Sequence, residues 1–196
     1  PFLVREDQWN LLHVNPNFYA NWKGPELPVE FQTRNPIFQE GGEYWGWKYL
    51  KSFIETRHPG YSSSISKPEA SRRACSRISP YLAYGNISMR MAYTFTMQHY
   101  KSAANKRSLQ NFSSRLHWQS HFIQKFEDES RMEFEPVNKA YQSLEKARDP
   151  RLIQAWEQGK TGVPLIDACM RCVVETGYLN FRMRAMVVSF FAFNLW

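Results

Sequence analysis

Small hydroxyl side chains lie beside an arginine at the predicted start of a short helix, within the stretch 75–88. That stretch begins with Cys75, Ser76, Arg77, Ile78, Ser79 and Pro80. Exposed backbone N–H groups, hydroxyl groups and a guanidinium together bind phosphate groups. The stretch is therefore a candidate phosphate site, while the alternative is a Ser-Pro turn that begins a helix without any ligand.

A second candidate surface lies around Trp118. The side chains that share one predicted helix face, in steps of three and four, are Phe112, Arg115, Gln119 and Phe122. A face that mixes aromatic and polar side chains suits a planar ligand that forms hydrogen bonds. The alternative is a core stripe with an arginine at its rim.

Charged side chains mark a third region, 160–184. Asp167 and Arg171 are four residues apart with opposite charges, which is typical of a simple helix pair. Arg182 and Arg184 lie between an aromatic turn and an apolar helix. Burying an unpaired guanidinium is costly, so each is expected to meet an acid, a phosphate or a nucleic-acid backbone.

Composition narrows the classes of function. The 196 residues carry a net charge of +7, which fits a polyanionic partner such as nucleic acid and a solvated basic face about equally well. The 16% aromatic residues either fill a large core or line a pocket for a flat ligand. The pair Cys169 and Cys172 has no second pair that would complete a zinc site, so no metal is expected. Three cysteines form no even disulfide framework, which predicts a reducing, cytoplasmic location, and no apolar run approaches membrane length.

The pattern along the chain predicts an all-α fold. Residues 1–40 are rich in Pro and Asn and are predicted to form an irregular linker arm, followed by a helical domain over 41–196. Helical spacing over 44–54 precedes a break at 58–60 and a polar loop over 61–71. The apolar last residues contain no helix stop, which leads us to expect a fragment of a longer protein.

Helix boundaries further along the chain are set by capping signals. Ser88 is expected to cap a helix to about residue 99, and Ser108 one to about residue 126. Asp149 followed by Pro150 predicts another helix start. The last two helices are predicted over about 164–175, closed by Gly177, and from Asn180 to the end.

Taken in order, the blocks 75–85, 116–119, 160–171 and 175–184 resemble the photolyase/cryptochrome family, specifically its helical FAD-binding domain, over roughly 40–196. The resemblance implies FAD as the cofactor. It also implies a set of cofactor-binding residues: Tyr61, Cys75, Ser76, Arg77, Ile78, Ser79, Phe112, Arg115, Gln119 and Arg184. In that set, Tyr61 and the run 75–79 match the residues around the FAD diphosphate, with Cys75 in place of a threonine.

The resemblance also implies residues that face DNA. Trp118 matches the tryptophan that stacks on a damaged pyrimidine pair, and Arg182 matches an arginine on the DNA side. Arg184 matches the arginine that faces the isoalloxazine ring and pairs with an aspartate, which is not within this sequence.

Several family positions are substituted here. A glutamate that binds cyclobutane dimers is replaced by Arg115, and the arginine after Trp118 is replaced by Gln119. Phe181 stands where the family has an asparagine, and the histidines of (6-4) repair would fall at Phe181 and Ala185. Lys146 stands near the expected outermost electron-transfer tryptophan. Tyr141 is a loose match to a redox residue that could substitute for this tryptophan.

Three functions remain open at this point. The first is light-driven repair of pyrimidine dimers, with damaged DNA as the partner and no membrane association. The second is a cryptochrome-type blue-light receptor without repair activity, which the substituted positions favour. The third is a flavin-free helical module that binds nucleic acid or another partner. The resemblance further implies an antenna domain and a C-terminal segment outside this sequence.

Overall fold

The computed structural model describes residues 28, 29, 33, 35–144 and 148–195. Backbone contacts divide the chain into two units, 1–36 and 37–196, and all elements named below belong to the second. Most of the predicted linker arm, 1–40, lies outside the described residues. The described residues contain helices and no β-strand, which confirms the predicted all-α class. None of their helices is both long and apolar enough to cross a membrane.

The second unit is a succession of nine α-helices within the described residues, with short connections except for the segment 129–149. In chain order they are α1 (Glu43–Ser52), α2 (Tyr61–Ser64), α3 (Pro68–Ala74), α4 (Ser79–Ala83), α5 (Met89–His99), α6 (Lys106–Asp128), α7 (Pro150–Glu157), α8 (Pro164–Thr176) and α9 (Phe181–Asn194). Short 3₁₀ turns cover Ser130–Glu133 and Lys139–Tyr141 after α6.

The predicted break and polar loop after α1 are wrong. A π-helical turn, Phe53–Arg57, and a 3₁₀ turn, His58–Gly60, continue the helical path directly into α2. Burial of Tyr61, 5% exposed, anchors α2 despite its serine-rich sequence. Pro68 then starts α3, because proline fits the first helical turn without losing a hydrogen bond.

Capping explains most of the later boundaries. The side-chain oxygens of Ser88, Asp149 and Asn180 accept from the backbone N–H groups of Met91, Arg151 and Met183, as predicted. Gly177 ends α8 with a φ of 63°, a conformation that favours glycine.

One predicted cap is wrong. Asn105 caps α6 three residues earlier than expected, because its Oδ1 accepts from the N–H of Ser108 at 3.1 Å. Ser108 itself is fully buried, and its hydroxyl lies 3.1 Å from that of Ser62.

Two apolar cores form within this unit. The larger joins α1, α2, α4, α5 and the first half of α6, and consists of Leu50, Phe53, Ile54, Tyr61, Ile78, Tyr81, Ile87, Ala92, Leu109, Phe112 and Leu116. The smaller joins α8 and α9, and consists of Ile166, Cys169, Met170, Leu179 and Val187. Burial of these side chains is the main stabilising contribution, at about 25 cal/mol per Å² of apolar surface.

A polar seam connects the two cores. Buried Asn180 donates from Nδ2 to Oγ of Ser71 at 3.1 Å. Nearby, Nη1 of Arg72 lies 3.2 Å from Sγ of Cys172 and 3.5 Å from Oγ1 of Thr176. The seam therefore ties α3 to the end of α8 and the start of α9 through hydrogen bonds.

The expected pair of Asp167 and Arg171 does not form. The carboxylate of Asp167 accepts from N and Oγ1 of Thr161 at 2.8 and 2.6 Å, and from N of Gly162 at 3.0 Å. Arg171 donates instead to the carbonyl of Gly159 at 2.7 Å. The carboxylate of Asp167 and the guanidinium of Arg171 therefore both bind the turn before α8. That turn offers each of them more hydrogen-bonding groups than the side chain of the other does.

Candidate functional site

The loop 75–79, between α3 and α4, has backbone N–H groups without an acceptor while its carbonyl groups are occupied. Arg57 donates to the carbonyls of Cys75 and Ser76, and Nε2 of Gln39 donates to the carbonyl of Arg77 at 2.9 Å. The N–H groups of Ser76, Arg77 and Ile78 donate to no atom of the described residues. The carbonyl groups of the loop therefore already accept hydrogen bonds from the protein, whereas its three N–H groups could donate to a bound ligand.

The backbone conformation of this loop brings its amides together. Arg77 has a φ of 63°, the one positive φ of a non-glycine residue in the described part of the chain. Ile78 follows in the right-handed helical region, at φ −91° and ψ −4°. Successive residues of opposite hand form a concave set of N–H groups that binds anions. The helix that follows, Ser79–Ala83, has five residues, so the loop amides matter more than the predicted helix start.

Three partly buried guanidinium groups, one of them from the loop itself, lie at or near the loop without a carboxylate partner. Arg57, Arg72 and Arg77 are half-buried, and none forms an ion pair with any residue that the structure describes. Burial lowers the pKa of Arg57 and of Arg77, because desolvation disfavours the charged form. A cluster of uncompensated positive charge at this depth suits a polyanion.

Two tyrosines and a cysteine link the loop to other elements. The guanidinium of Arg77 stacks 3.7 Å above the ring of Tyr178, and that of Arg72 lies 5.5 Å from it. Burial raises the pKa of Tyr61 and of Tyr178, and the nearby thiol of Cys75 raises both further. Burial also raises the pKa of that thiol. The structure thus brings together Tyr61, the loop and the turn before α9, which lie far apart in the sequence.

The face of α6 divides into a core part and an exposed part. Phe112 is 3% exposed and packs against Phe53 with ring centroids 4.7 Å apart, so the core interpretation holds for this residue. Trp118 is 48% exposed and lies 5.7 Å from the ring of Phe122, while Gln119 is half-buried. Exposed Arg115 lowers the pKa of nearby Tyr61, although burial outweighs this effect.

The two arginines at the start of α9 lie at the surface. Arg182 and Arg184 are exposed, so neither requires a buried partner, and the residues described provide no ion pair for either. The positive charge of Arg184 lowers the pKa of Tyr178, although burial outweighs it, which places this arginine near the seam. Tyr141 is 52% exposed, and Lys146 lies outside the described residues.

Three residues of this site escaped sequence reasoning. Arg57 precedes Tyr61 by four residues, Gln39 lies in the predicted linker arm, and Tyr178 belongs to the aromatic turn before α9. Their partners are 18 to 19 residues away for the Arg57 contacts with the loop carbonyls and 38 residues away for Gln39. No local spacing signals contacts of that range.

Metal ligation has no support among the described residues, where no group of three His, Cys, Asp or Glu side chains is placed to hold an ion. The three cysteines, Cys75, Cys169 and Cys172, are free thiols.

Comparison with known proteins gives related sequences. A family model described as the FAD binding domain of DNA photolyase matches residues 112–196. A deoxyribodipyrimidine photo-lyase of Thermus thermophilus is 32% identical over 173 residues, which cover 86% of this chain and 39% of the relative. A cryptochrome DASH of Natronomonas pharaonis is 30% identical over 154 residues, covering 78% of this chain and 32% of that protein.

Solved structures share the fold. A Synechocystis sp. PCC6803 cryptochrome aligns with a TM-score of 0.74 at 24% identity, covering 87% of this chain and 35% of the solved chain. A class III photolyase from Agrobacterium tumefaciens aligns with a TM-score of 0.71 at 24% identity, covering 94% and 35%. The chain therefore spans about two fifths of the length of the first curated relatives, and about a third of these solved chains.

Proposed function

Because the chain belongs to the photolyase/cryptochrome family, we propose that loop 75–79 holds the diphosphate of FAD and that the whole protein uses the flavin for light-driven repair of pyrimidine dimers in DNA. One observation carries this proposal. The backbone N–H groups of Ser76, Arg77 and Ile78 have no acceptor among the described residues, and three half-buried guanidinium groups without a carboxylate partner lie at or near this loop. In the same proposal, residues 41–196 contribute the helical part and residues 1–40 a linker arm.

The residues of the loop fit a diphosphate chemically. The amides of Ser76, Arg77 and Ile78 donate to phosphate oxygens, and the positive charges of the surrounding arginines compensate the two negative charges. Cys75 still offers its backbone where the family has a threonine, so the substitution removes one hydroxyl and no amide. Tyr61 and Tyr178 bound the site with ring surface that excludes water.

The flavin, when bound and reduced, supplies a light-driven electron to the lesion. The protein binds and orients both molecules. Phe112 lies behind this region within the core, and Arg115, Gln119 and Arg184 line its polar side in the proposal. The two arginines offer only N–H donors, and Gln119 offers the NH₂ donor of its amide. These donors stabilise negative charge on a bound partner.

Exposed aromatic surface on α6 suits an extruded base pair. Trp118 and Phe122 offer neighbouring rings to solvent, and base–aromatic stacking contributes about 1–3 kcal/mol per base. Exposed Arg182 is available to a phosphate of the DNA backbone. Damaged DNA is therefore the proposed partner, and the free thiols support the proposed cytoplasmic location.

A receptor of the cryptochrome type is the second candidate, and one observation favours it. Arg115 is exposed beside Trp118 and presents donors only, so it cannot accept a hydrogen bond from the N–H of a pyrimidine dimer. Repair of cyclobutane dimers would then depend on stacking and on contacts to carbonyl groups of the bases.

The test is an absorption spectrum of the natural-length protein before and after blue light with a reductant, followed by addition of ultraviolet-damaged DNA. Bleaching of flavin bands with light-dependent restoration of the DNA supports repair. Trp118→Ala is expected to weaken binding of damaged DNA at least about tenfold, whereas Phe134→Ala, at an aromatic residue that is 84% exposed, is the matched control. Bleaching without restoration favours the receptor, and a colourless protein that takes up no FAD favours the flavin-free module.

A further inference from the structure

Arg57 ends a π-helical turn, a rare local structure that is frequent at functional sites. The turn directs its guanidinium back along α1. Nη2 donates to the carbonyl of Tyr49 at 2.8 Å and to Oγ of Ser52 at 3.0 Å, while Nε lies 3.3 Å from the same hydroxyl oxygen. One edge of the guanidinium is thereby fixed to the end of α1.

The remaining donors of Arg57 reach the loop and the helix before it. Nη1 donates to the carbonyl of Arg73 at 3.1 Å and to the carbonyl of Cys75, and Nη2 lies 3.3 Å from the carbonyl of Ser76. All of these acceptors are neutral, and the guanidinium also lies 5.7 Å from the ring of Phe53. A single planar group therefore joins α1, the end of α3 and the loop.

We propose that Arg57 is a positioning residue for the diphosphate-binding loop, an inference that rests on the proposed function above. By holding the carbonyls of Cys75 and Ser76 on one side of the loop, Arg57 keeps the amides of Ser76, Arg77 and Ile78 on the other side. It acts through this backbone and touches no ligand atom. The planar fork of the guanidinium reaches several carbonyls at fixed angles, which an ammonium group cannot do.

If Arg57 had a purely structural role, its loss would affect ligand binding differently. A cation near the carbonyls at the end of a helix also stabilises that helix, here α3. Loss of that contribution would lower the stability of the protein and weaken every ligand alike. Loss of loop positioning weakens ligands that carry a diphosphate and spares those that do not.

The experiment compares FAD with riboflavin, which lacks phosphate, by equilibrium titration of the natural-length apoprotein. If Arg57→Ala reduces the fraction of competent loop to about a tenth, the apparent Kd for FAD rises about tenfold, and the Kd for riboflavin stays within about twofold. Arg57→Lys keeps the charge without the fork and is expected to raise the Kd for FAD about fivefold. Arg73→Ala is the control, because this exposed arginine pairs with Glu69 and leaves the loop amides unchanged.

Each outcome decides the inference. An unchanged Kd for FAD in both Arg57 variants overturns it, and so does an equal loss of FAD and riboflavin binding with a lowered unfolding midpoint. If Arg57→Ala does not fold, the milder Arg57→Lys gives the same comparison. A wild-type protein that binds FAD no more tightly than riboflavin contradicts the proposed function itself, and with it this inference, before any variant is compared.

Discussion

Asn180 is expected to stabilise the fold through two separable interactions. Its Oδ1 accepts from the N–H of Met183 at 2.9 Å and so caps α9. Its Nδ2 donates to Oγ of Ser71 at 3.1 Å, across the polar seam between the two cores. The side chain is 5% exposed, so solvent does not replace either bond when the side chain is removed.

The magnitude follows from these two bonds. Loss of an N-cap costs about 1 kcal/mol, with a range of roughly 0.5–2 kcal/mol. Loss of one buried hydrogen bond costs about 1 kcal/mol more. Asn180→Ala is therefore expected to lower the free energy of unfolding by about 2 kcal/mol. Asn180→Ser keeps a capping hydroxyl and loses the bond across the seam, so about 1 kcal/mol is expected.

Urea unfolding of both variants, followed by far-ultraviolet circular dichroism, measures these differences. Ser71→Ala removes the partner in the seam and also the hydrogen bond that its hydroxyl donates to the carbonyl of Pro68 at 3.0 Å, so it is expected to cost at least as much as Asn180→Ser while the cap stays intact. A free energy for Asn180→Ala within about 0.5 kcal/mol of wild type would refute the reasoning. Equal values for the Ala and Ser variants would show that the cap contributes nothing.

Three further predictions concern the turn before α8 and the turn before α2. Gly159→Ala is expected to lower the thermal unfolding midpoint more than Gly162→Ala. Both substitutions introduce the strain of a positive φ, but only at Gly159 would the added Cβ also clash, 2.7 Å from the carbonyl oxygen of Asp167. Hydrogen bonds from Thr161 lower the pKa of Asp167, so its stabilising contribution is present above an unfolded-state pKa of about 3.9 and is lost as the pH falls through the lower folded-state value. Acid unfolding followed by fluorescence should therefore show a shallower loss below about pH 4 in Asp167→Asn, which is already destabilised at neutral pH. Burial lowers the pKa of His58, whose unfolded-state value is about 6.5, so the unfolded chain binds the extra proton first and stability should fall as the pH drops below about 6.5. Urea midpoints across this range should depend less on pH in His58→Gln, and an unchanged slope would contradict the assignment.

Helices and their first residues could be predicted from the sequence where apolar spacing and capping residues agreed. Ser88, Asp149 and Asn180 begin their helices as predicted, because each cap is a local interaction over two or three residues. The resemblance to the photolyase/cryptochrome family is confirmed by the matched family model and relatives, and FAD is confirmed as the cofactor of that family.

Local pattern failed where tertiary contacts decide the structure. The serine-rich segment after α1 is helical because Tyr61 is buried against Phe53 and Phe112, and serine content carries no signal of that burial. The pairing of Asp167 with Arg171 was wrong for the same reason, since the turn before α8 provides closer partners.

The candidate site was only partly predictable. The run 75–79 stood out through its residue types, and the structure adds the conformation of Arg77 that turns its amides to one side. Arg57 and Gln39 complete the loop through contacts over long sequence separations, which no spacing rule identifies. The roles of Trp118 and Arg182 toward DNA stay predictions.

Hydrogen–deuterium exchange of the natural-length protein, with and without FAD, tests the central claim most directly. The amides of Ser76, Arg77 and Ile78 donate to no described residue, so no hydrogen bond within that part of the chain protects them from exchange in the apoprotein. Binding of FAD is predicted to slow exchange in the peptide that contains them, because the diphosphate accepts their hydrogen bonds. Flavin absorbance that shows bound FAD, together with unchanged exchange at these three amides, would contradict the account.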